Sequence, residues 1–383
     1  MNKIESYLDQ HFANMIQVTQ RLINLDSHPD DVAGVQKVVD MLTKQMKSLG
    51  MSTRQLDPGQ PGTVLVGELA GPTNQAPVIL LGHLDTVFAA GSAKRRPFAL
   101  DGDKMTGPGI YDMKPGLVVG LFAIQALKEL GLVQRPIKMI IVSDEEKLHM
   151  HSHAYQIIAD ESKGAAYGLN LEGSPAKNIV HTHNRGGAIL GITVHGKAAH
   201  SGAAPEKGRN AILELAHRII KYDALTDLAN GIHVNCGVIN GGQSENIIPD
   251  LATTSLGIRF KTNDQRDQLI HQIQAIASKP TVPGTHTTVS IRTKIDSMEA
   301  TPAVQQLFAR LNQVSQEIGN GELTAANGGG ASDAGIMVAR GVPTIDSLGI
   351  VGGGAHTEQE YASAHSLIDR ANLIANFIAS DHE

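Results

Sequence analysis

Two periodicities of apolar positions alternate along the chain. Ile4, Leu8, Phe12, Met15 and Ile16 recur at the spacing of an amphipathic helix. Val35, Val38, Val39, Leu42, Met46 and Leu49 do the same, and Gly50 closes that second helix. Short apolar runs then read as strands over 63–69, 78–84, 136–142 and 169–171. The second of these is the most telling. Ala76-Pro-Val-Ile-Leu-Leu-Gly-His83-Leu-Asp85-Thr-Val87 climbs without interruption to a glycine and turns abruptly polar. Such a run is how a strand buried on both faces of a parallel sheet reads. A Gly/Pro-punctuated loop over 89–111 delivers Asp112-Met-Lys-Pro-Gly116 to an apolar helix over 117–130, closed by Gly131. Strand, loop, helix and strand in this order predict a parallel α/β layer between helices.

The middle of the chain has a different rhythm. Strands over 187–194, 232–238, 251–259 and 287–293 alternate with helices over 204–221 and 263–278. That order, β-α-β-β-α-β, is the ferredoxin-like unit. It predicts an α+β domain, 185–293, inserted into an α/β domain built from 1–184 and 294–383.

Composition agrees with two domains, since 383 residues exceed the size at which single cores usually stop growing. The net charge of -6 is spread without basic clusters, which argues against nucleic acid or an anionic membrane as partner. A single cysteine, Cys236, excludes an intrachain disulfide. The polar start has no signal-peptide core, and no apolar stretch is long enough to span a bilayer. A cytoplasmic enzyme is the expectation.

Candidate chemistry collects at strand ends, where open α/β sheets carry their sites. His83-Leu-Asp85 ends the most apolar run, an arrangement that suits a metal-binding imidazole oriented by a carboxylate, although a strand can also end in a plain polar turn. Asp144-Glu145-Glu146 follows the 136–142 strand, and three adjacent carboxylates repel unless a cation neutralises them. An exposed acidic turn is the competing reading. It weakens because Glu172 follows the 169–171 run and His356 follows three glycines. His83, Asp112, Glu146, Glu172 and His356 together offer two imidazoles and three carboxylates. That donor mix suits Zn²⁺ or Co²⁺ better than Mg²⁺ or Ca²⁺, and two metals sharing a carboxylate leave room for a water between them.

These motifs, in this order, resemble the di-zinc aminoacylase, acetylornithine deacetylase and succinyl-diaminopimelate desuccinylase family of metallopeptidases. Within it the chain is most similar to the glutamate carboxypeptidases of the carboxypeptidase G type. The likeness spans nearly the whole chain. It is carried by Gly82-His83-Leu84-Asp85-Thr86-Val87, Gly107-Pro-Gly-Ile-Tyr-Asp112-Met-Lys, Asp144-Glu145-Glu146 and Gly196-Lys-Ala-Ala-His200-Ser-Gly-Ala-Ala-Pro205. Further along stand Asn246-Ile-Ile-Pro249, Arg259, Gly328-Gly-Gly-Ala-Ser-Asp333 and Gly352-Gly-Gly-Ala-His356.

The resemblance implies two zinc ions per subunit, with Co²⁺ able to substitute. His83 and Glu172 hold one, Glu146 and His356 the other, and Asp112 bridges them. It makes Asp85 the orienter of His83 and Glu145 the general base. An extended segment there lets Glu145 and Glu146 face opposite sides. His200 steadies the developing oxyanion, from its own chain or from the partner subunit, and Asn246 and Arg259 bind the substrate's free carboxylate. The inserted domain becomes a lid that also forms a homodimer. The implied activity is release of a C-terminal amino acid, such as glutamate, from a peptide or N-acyl conjugate. N-acyl-amino-acid deacylation is the alternative, and a family member without turnover that acts as a binding protein is the alternative outside catalysis.

Two departures from the family pattern matter. Pro115 replaces a usual glycine, which the first turn of a helix accommodates. Lys147-Leu148-His149-Met150-His151 stands where the family usually has a residue followed by Gly and Ser. Leucine resists the positive φ that glycine allows. We therefore expect a shifted backbone or a smaller pocket of different polarity beside the second metal, with an altered substrate range or rate. The close histidines His149, His151 and His153, and His181 and His183, are read as surface residues rather than as a further metal site. The glycine-rich stretches lack the Lys-Ser or Lys-Thr of a P-loop.

Overall fold

A computed structural model, describing residues 2–57, 59–150 and 152–381, sets the Val78–His83 strand well inside a six-stranded sheet. Across the sheet the order is Ser52–Leu56, Val64–Leu69, Ile137–Val142, Val78–His83, Tyr167–Asn170 and Thr344–Ile345. The first three strands pair antiparallel. The last four, counting Ile137–Val142 again, pair parallel. All six residues of Val78–His83 are buried, as its unbroken apolar run predicts. The strand that opens the sheet, Ser52–Leu56, escapes sequence reading because polar Ser-Thr-Arg-Gln carries no alternation.

Helices cover this sheet. Lys3–Ile23 and Val32–Ser48 present the two apolar stripes read from the sequence, and Gly50 takes φ 75° just past the second. Lys114–Glu129 buries thirteen of its sixteen residues, being packed between the sheet, Lys3–Ile23 and Ser366–Ala379. A helix apolar all round belongs in such a place. Pro115 sits in its first turn, where the missing N–H costs nothing.

The chain divides into two compact units. One runs to His183, takes in Glu299–Gly328 and resumes at Asp333; the other is Asn184–Met298 with Gly329–Ser332. The second unit has its own core. Its sheet orders His233–Gly241, Leu251–Phe260, Gly186–His195 and His286–Ile295, all antiparallel. Leu251–Phe260 alternates exposed or half-buried with buried positions, and Leu256, Ile258 and Phe260 face the core beneath Ala211–Asp223 and Asn263–Ala277. The element order is β-α-β-β-α-β, as the sequence pattern predicts.

One helix begins later than expected. The 204–221 helix starts at Ala211, because Pro205–Lys207 closes a separate 3-10 turn and Gly208 leaves it in extended conformation. The Asn210 side chain then caps the true start, accepting from Leu213 N. Among the described residues no helix is long and apolar enough to cross a membrane.

Leu80 is fully buried in the Val78–His83 strand. Leu80→Ala should cost about 2–5 kcal/mol through lost burial and the cavity left behind. Urea unfolding of the metal-free chain reads this loss in the transition of the first unit.

Candidate metal centre

The parallel strands deliver side chains to one end of the sheet. His83 is the last residue of its strand and is buried, with Nδ1 3.1 Å from the Asp85 carbonyl oxygen and 3.4 Å from Asp85 Oδ1. Its Nε2 lies 3.0 Å from Asp112 Oδ1 and 3.4 Å from Glu172 Oε1. Glu172 follows Tyr167–Asn170, the neighbouring parallel strand, and Asp112 precedes the Lys114–Glu129 helix. The other oxygen of Asp112, Oδ2, lies 3.2 Å from His356 Nε2, which is also 3.2 Å from Glu146 Oε2. Two triads result, His83–Asp112–Glu172 and Asp112–Glu146–His356, each with its ligand atoms within 4.8 Å of one another. The structure thus brings together all five residues read from the sequence as metal ligands, with Asp112 common to both triads.

Asp85 does more than face His83. Its fully buried carboxylate accepts the backbone N–H groups of Glu145, at 3.3 Å, and Glu146, at 3.0 Å. Two successive amides reaching one carboxylate cannot lie in an extended strand, whose N–H groups point to opposite sides. The extended geometry expected at Glu145 and Glu146 is accordingly not found, and Glu145–Lys147 forms a single 3-10 turn. Three residues per turn still splay the two adjacent side chains apart.

Beyond the turn, Leu148 and His149 take φ 52° and 53°. Leucine and histidine here adopt the left-handed conformation that glycine would take without strain. Of the clustered histidines, His149 is buried and His153 is exposed beside Asp57; His151 lies outside the described residues. His181 Nδ1 lies 3.0 Å from Ser347 Oγ.

Sequence reasoning missed Glu360. Its buried carboxylate accepts from the N–H groups of Gly109, Tyr111 and Asp112 at 2.8–3.0 Å and so fixes the loop that presents Asp112. Burial, only partly offset by those three amides, raises its pKa to about 7. The available signal was an acid four residues after His356, on the same Gly-rich loop.

The electrostatics are those of a site short of positive charge. Burial works against a charged His83, but Glu172, Asp112 and Asp85 outweigh it and raise the pKa well above the usual imidazole value. Hydrogen bonds to Asp112 and Glu146 raise that of His356 to about 10. Burial lifts Glu172 to about 7, with His83 opposing and Asp112 and Asp346 adding to the rise. Burial likewise pushes Glu145 well above the normal range, with His83 opposing and Asp333, Glu172 and Glu146 adding to it.

The second unit carries the remaining candidates, His200 and Asn246 at one end of its sheet and Arg259 at the other. Ala199–His200 pairs antiparallel with Ile247–Ile248, and Ser201 N donates to the Asn246 carbonyl, so His200 and Asn246 share one corner. His200 Nδ1 accepts from the N–H groups of Gly202 and Ala203, both at 3.1 Å. In the neutral ring this leaves the proton on Nε2 as a donor. Arg259 pairs across the sheet with Gly187 and His233. Its guanidinium lies over Gly187, where a Cβ would come within 2.0 Å of Nη1. Burial lowers its pKa, and among the described residues no carboxylate partners it.

The sequence profile of peptidase family M20/M25/M40 matches residues 79–380. The chain belongs to this family. It is therefore a hydrolase of peptide or amide bonds, and M20 metallopeptidases generally bind a dinuclear metal centre. Carboxypeptidase G2 of Pseudomonas sp. (strain RS-16) is 29% identical over 369 residues, covering 95% of this chain and 88% of that protein. A succinyl-diaminopimelate desuccinylase of Corynebacterium glutamicum is 28% identical over 269 residues, 67% of this chain and 69% of its own. The crystal structure of aminopeptidase PepT from Bacillus cereus shares the fold, with a TM-score of 0.76 at 22% identity over 96% of this chain and 98% of that one. The donor set fits an M20 dinuclear centre, with one carboxylate offering a separate oxygen to each triad.

Because Glu360 holds the loop presenting the shared Asp112, Glu360→Gln should weaken both metal equivalents about 10–100-fold, as loss of an outer hydrogen-bond partner typically does. Titration against a chelator measures it.

Proposed function

We propose that this M20 peptidase is a zinc-dependent exopeptidase that releases a C-terminal amino acid from a peptide or N-acyl conjugate, in the manner of a glutamate carboxypeptidase. The observation that carries the reading is the division of Asp112, one oxygen toward His83 and the other toward His356. His83 and Glu172 would hold one ion, Glu146 and His356 the second, and Asp112 both; Co²⁺ would serve in place of zinc. When bound, the ions supply Lewis acidity to the scissile carbonyl and bring the pKa of water toward neutrality.

The chain's own residues do the rest. Arg259, for which no carboxylate partner stands among the described residues, suits the substrate's free α-carboxylate, and Asn246 is the second residue assigned to it. Glu145 takes the proton of the attacking water as the new C–O bond forms, then returns it to the amide nitrogen as the C–N bond breaks. His200, donating through Nε2, steadies the oxyanion between those events. The second unit, 185–293 by the strand pattern, serves as a lid and as the surface through which a cytoplasmic homodimer forms. N-acyl-amino-acid deacylation is the second reading, favoured by the similarity to a desuccinylase.

A panel of N-blocked amino acids and dipeptides, each with a free and an amidated C-terminus, tests the proposal in the presence of Zn²⁺ or Co²⁺. Amidation removes the partner of Arg259, and a hydrogen bond to a charged group contributes about 1.5–3 kcal/mol, so kcat/KM should fall about 10–100-fold. Equal rates on both forms would remove the carboxypeptidase reading.

Glu145→Gln should keep both metals and the fold but lose roughly 10²–10⁴-fold in kcat, since an amide takes no proton. Metal analysis beside steady-state kinetics separates the two effects.

If His200 acts across the dimer, mixing His200→Ala chains with Glu145→Gln chains restores part of the activity once subunits exchange. Demonstrated exchange with no recovery assigns His200 to its own chain.

A further inference from the structure

Behind the Glu145 turn lies a contact that the proposed chemistry leaves unused. The His149 imidazole is enclosed between two buried carboxylates, with Nδ1 2.8 Å from Asp144 Oδ1 and Nε2 2.7 Å from Asp333 Oδ1. A carboxylate only accepts, so a ring bonded to two of them donates from both nitrogens and is an imidazolium. Burying one cation between two anions, each hydrogen-bonded to it, avoids the cost of an unpaired buried charge.

The clamp joins two parts of the first unit. Asp144 opens the turn that carries Glu145 and Glu146, and Asp333 precedes the Ala334–Ala339 helix. Within the turn, Lys147 N and His149 N donate to the Asp144 carbonyl and Leu148 N to that of Glu145. Asp85 holds the turn from the front through two amides. Lys147 also reaches Asp30, but on the exposed surface, where ion pairs contribute little. From behind, the buried tether is His149. Its cost is visible in the backbone, since Leu148 and His149 are successive non-glycine residues in left-handed conformation. Such residues persist only where their surroundings over-determine them. A serine or glycine at 149 would leave Asp144 and Asp333 as unneutralised carboxylates close to Glu145.

We propose that His149 is a positioning residue for the reaction, a charged clamp between Asp144 and Asp333 that fixes the turn bearing Glu145. The proposal rests on the reading of Glu145 as general base.

Two variants test it. His149→Gly removes both hydrogen bonds while relieving the left-handed backbone. His149→Asn keeps one amide donor and, of the non-glycine residues, tolerates positive φ well. With metals saturating, kcat should fall roughly 10–100-fold in His149→Gly and by less in His149→Asn, with KM within about twofold of the parent in both. In the metal-free chain, amides 145–149 should exchange hydrogen at least about tenfold faster in His149→Gly. If His149 were only a filler of its backbone position, His149→Gly would match or exceed the parent in kcat and in amide protection, and that result overturns the proposal. A raised KM with unchanged kcat overturns it as well. Should His149→Gly fail to fold, the ranking of His149→Asn below the parent in kcat at unchanged KM decides it. A parent that cleaves nothing in the panel counts against the proposed function instead, and the exchange data then judge the clamp alone.

Discussion

Crowding of negative charge at the carboxyl ends of three parallel strands is the constraint on which the rest of this site depends. Glu145 and Glu146 follow one strand, His83 ends the next with Asp85 just beyond it, and Glu172 follows the third, with Asp112 brought in from the loop before the Lys114–Glu129 helix. Burial first, and neighbouring carboxylates after it, raise the pKa of Glu172 and Glu145, and cations or donors oppose that rise. Each of the surrounding devices supplies such a donor. Backbone amides converge on Asp85 and on Glu360, imidazoles on Asp112, and His149 on Asp144 and Asp333. The pair of triads that these devices surround is the donor set that fits an M20 dinuclear centre.

The turn after Ile137–Val142 shows how the fold keeps the proposed base and its neighbouring ligand apart. Both glutamates leave the same short segment, yet their amides are drawn to one carboxylate while their side chains diverge. A 3-10 turn does this with fewer residues than a loop, and it needs fixing at both ends because a single turn has almost no stability of its own. In this chain left-handed residues close it without glycine, which the buried hydrogen bonds of His149 make sustainable.

The second unit carries groups of a different kind. The His200 ring is set by two backbone donors, so its outward nitrogen has a defined role as donor. The Arg259 guanidinium occupies the space that Gly187 leaves, and among the described residues no carboxylate pairs with it. A guanidinium in that state is prepared for an anionic ligand, since binding replaces water without breaking an existing ion pair.

Much of this was legible from residue order. An unbroken apolar run ending in Gly82-His83 specifies a doubly buried strand and what stands at its end, because both depend on neighbours a few positions away. The strand-end acids and the β-α-β-β-α-β order of the second unit are local patterns of the same sort. The helix starts at Ala211 rather than Ala204 because Pro205–Lys207 forms a turn of its own and the side-chain cap at Asn210 sets the first helical residue. The polar strand Ser52–Leu56 left no pattern to read, since its pairing with Val64–Leu69, not its composition, makes it a strand. Other features belong to the tertiary structure alone. His149 meets Asp333 across 184 positions of sequence, and Glu360 meets Gly109 across 251. No periodicity reports such contacts, because they exist only once packed elements have brought distant loops to the same end of the sheet. Sequence by itself determined which donors stand at the strand ends; packing decided which buried groups hold them, and in what charge state.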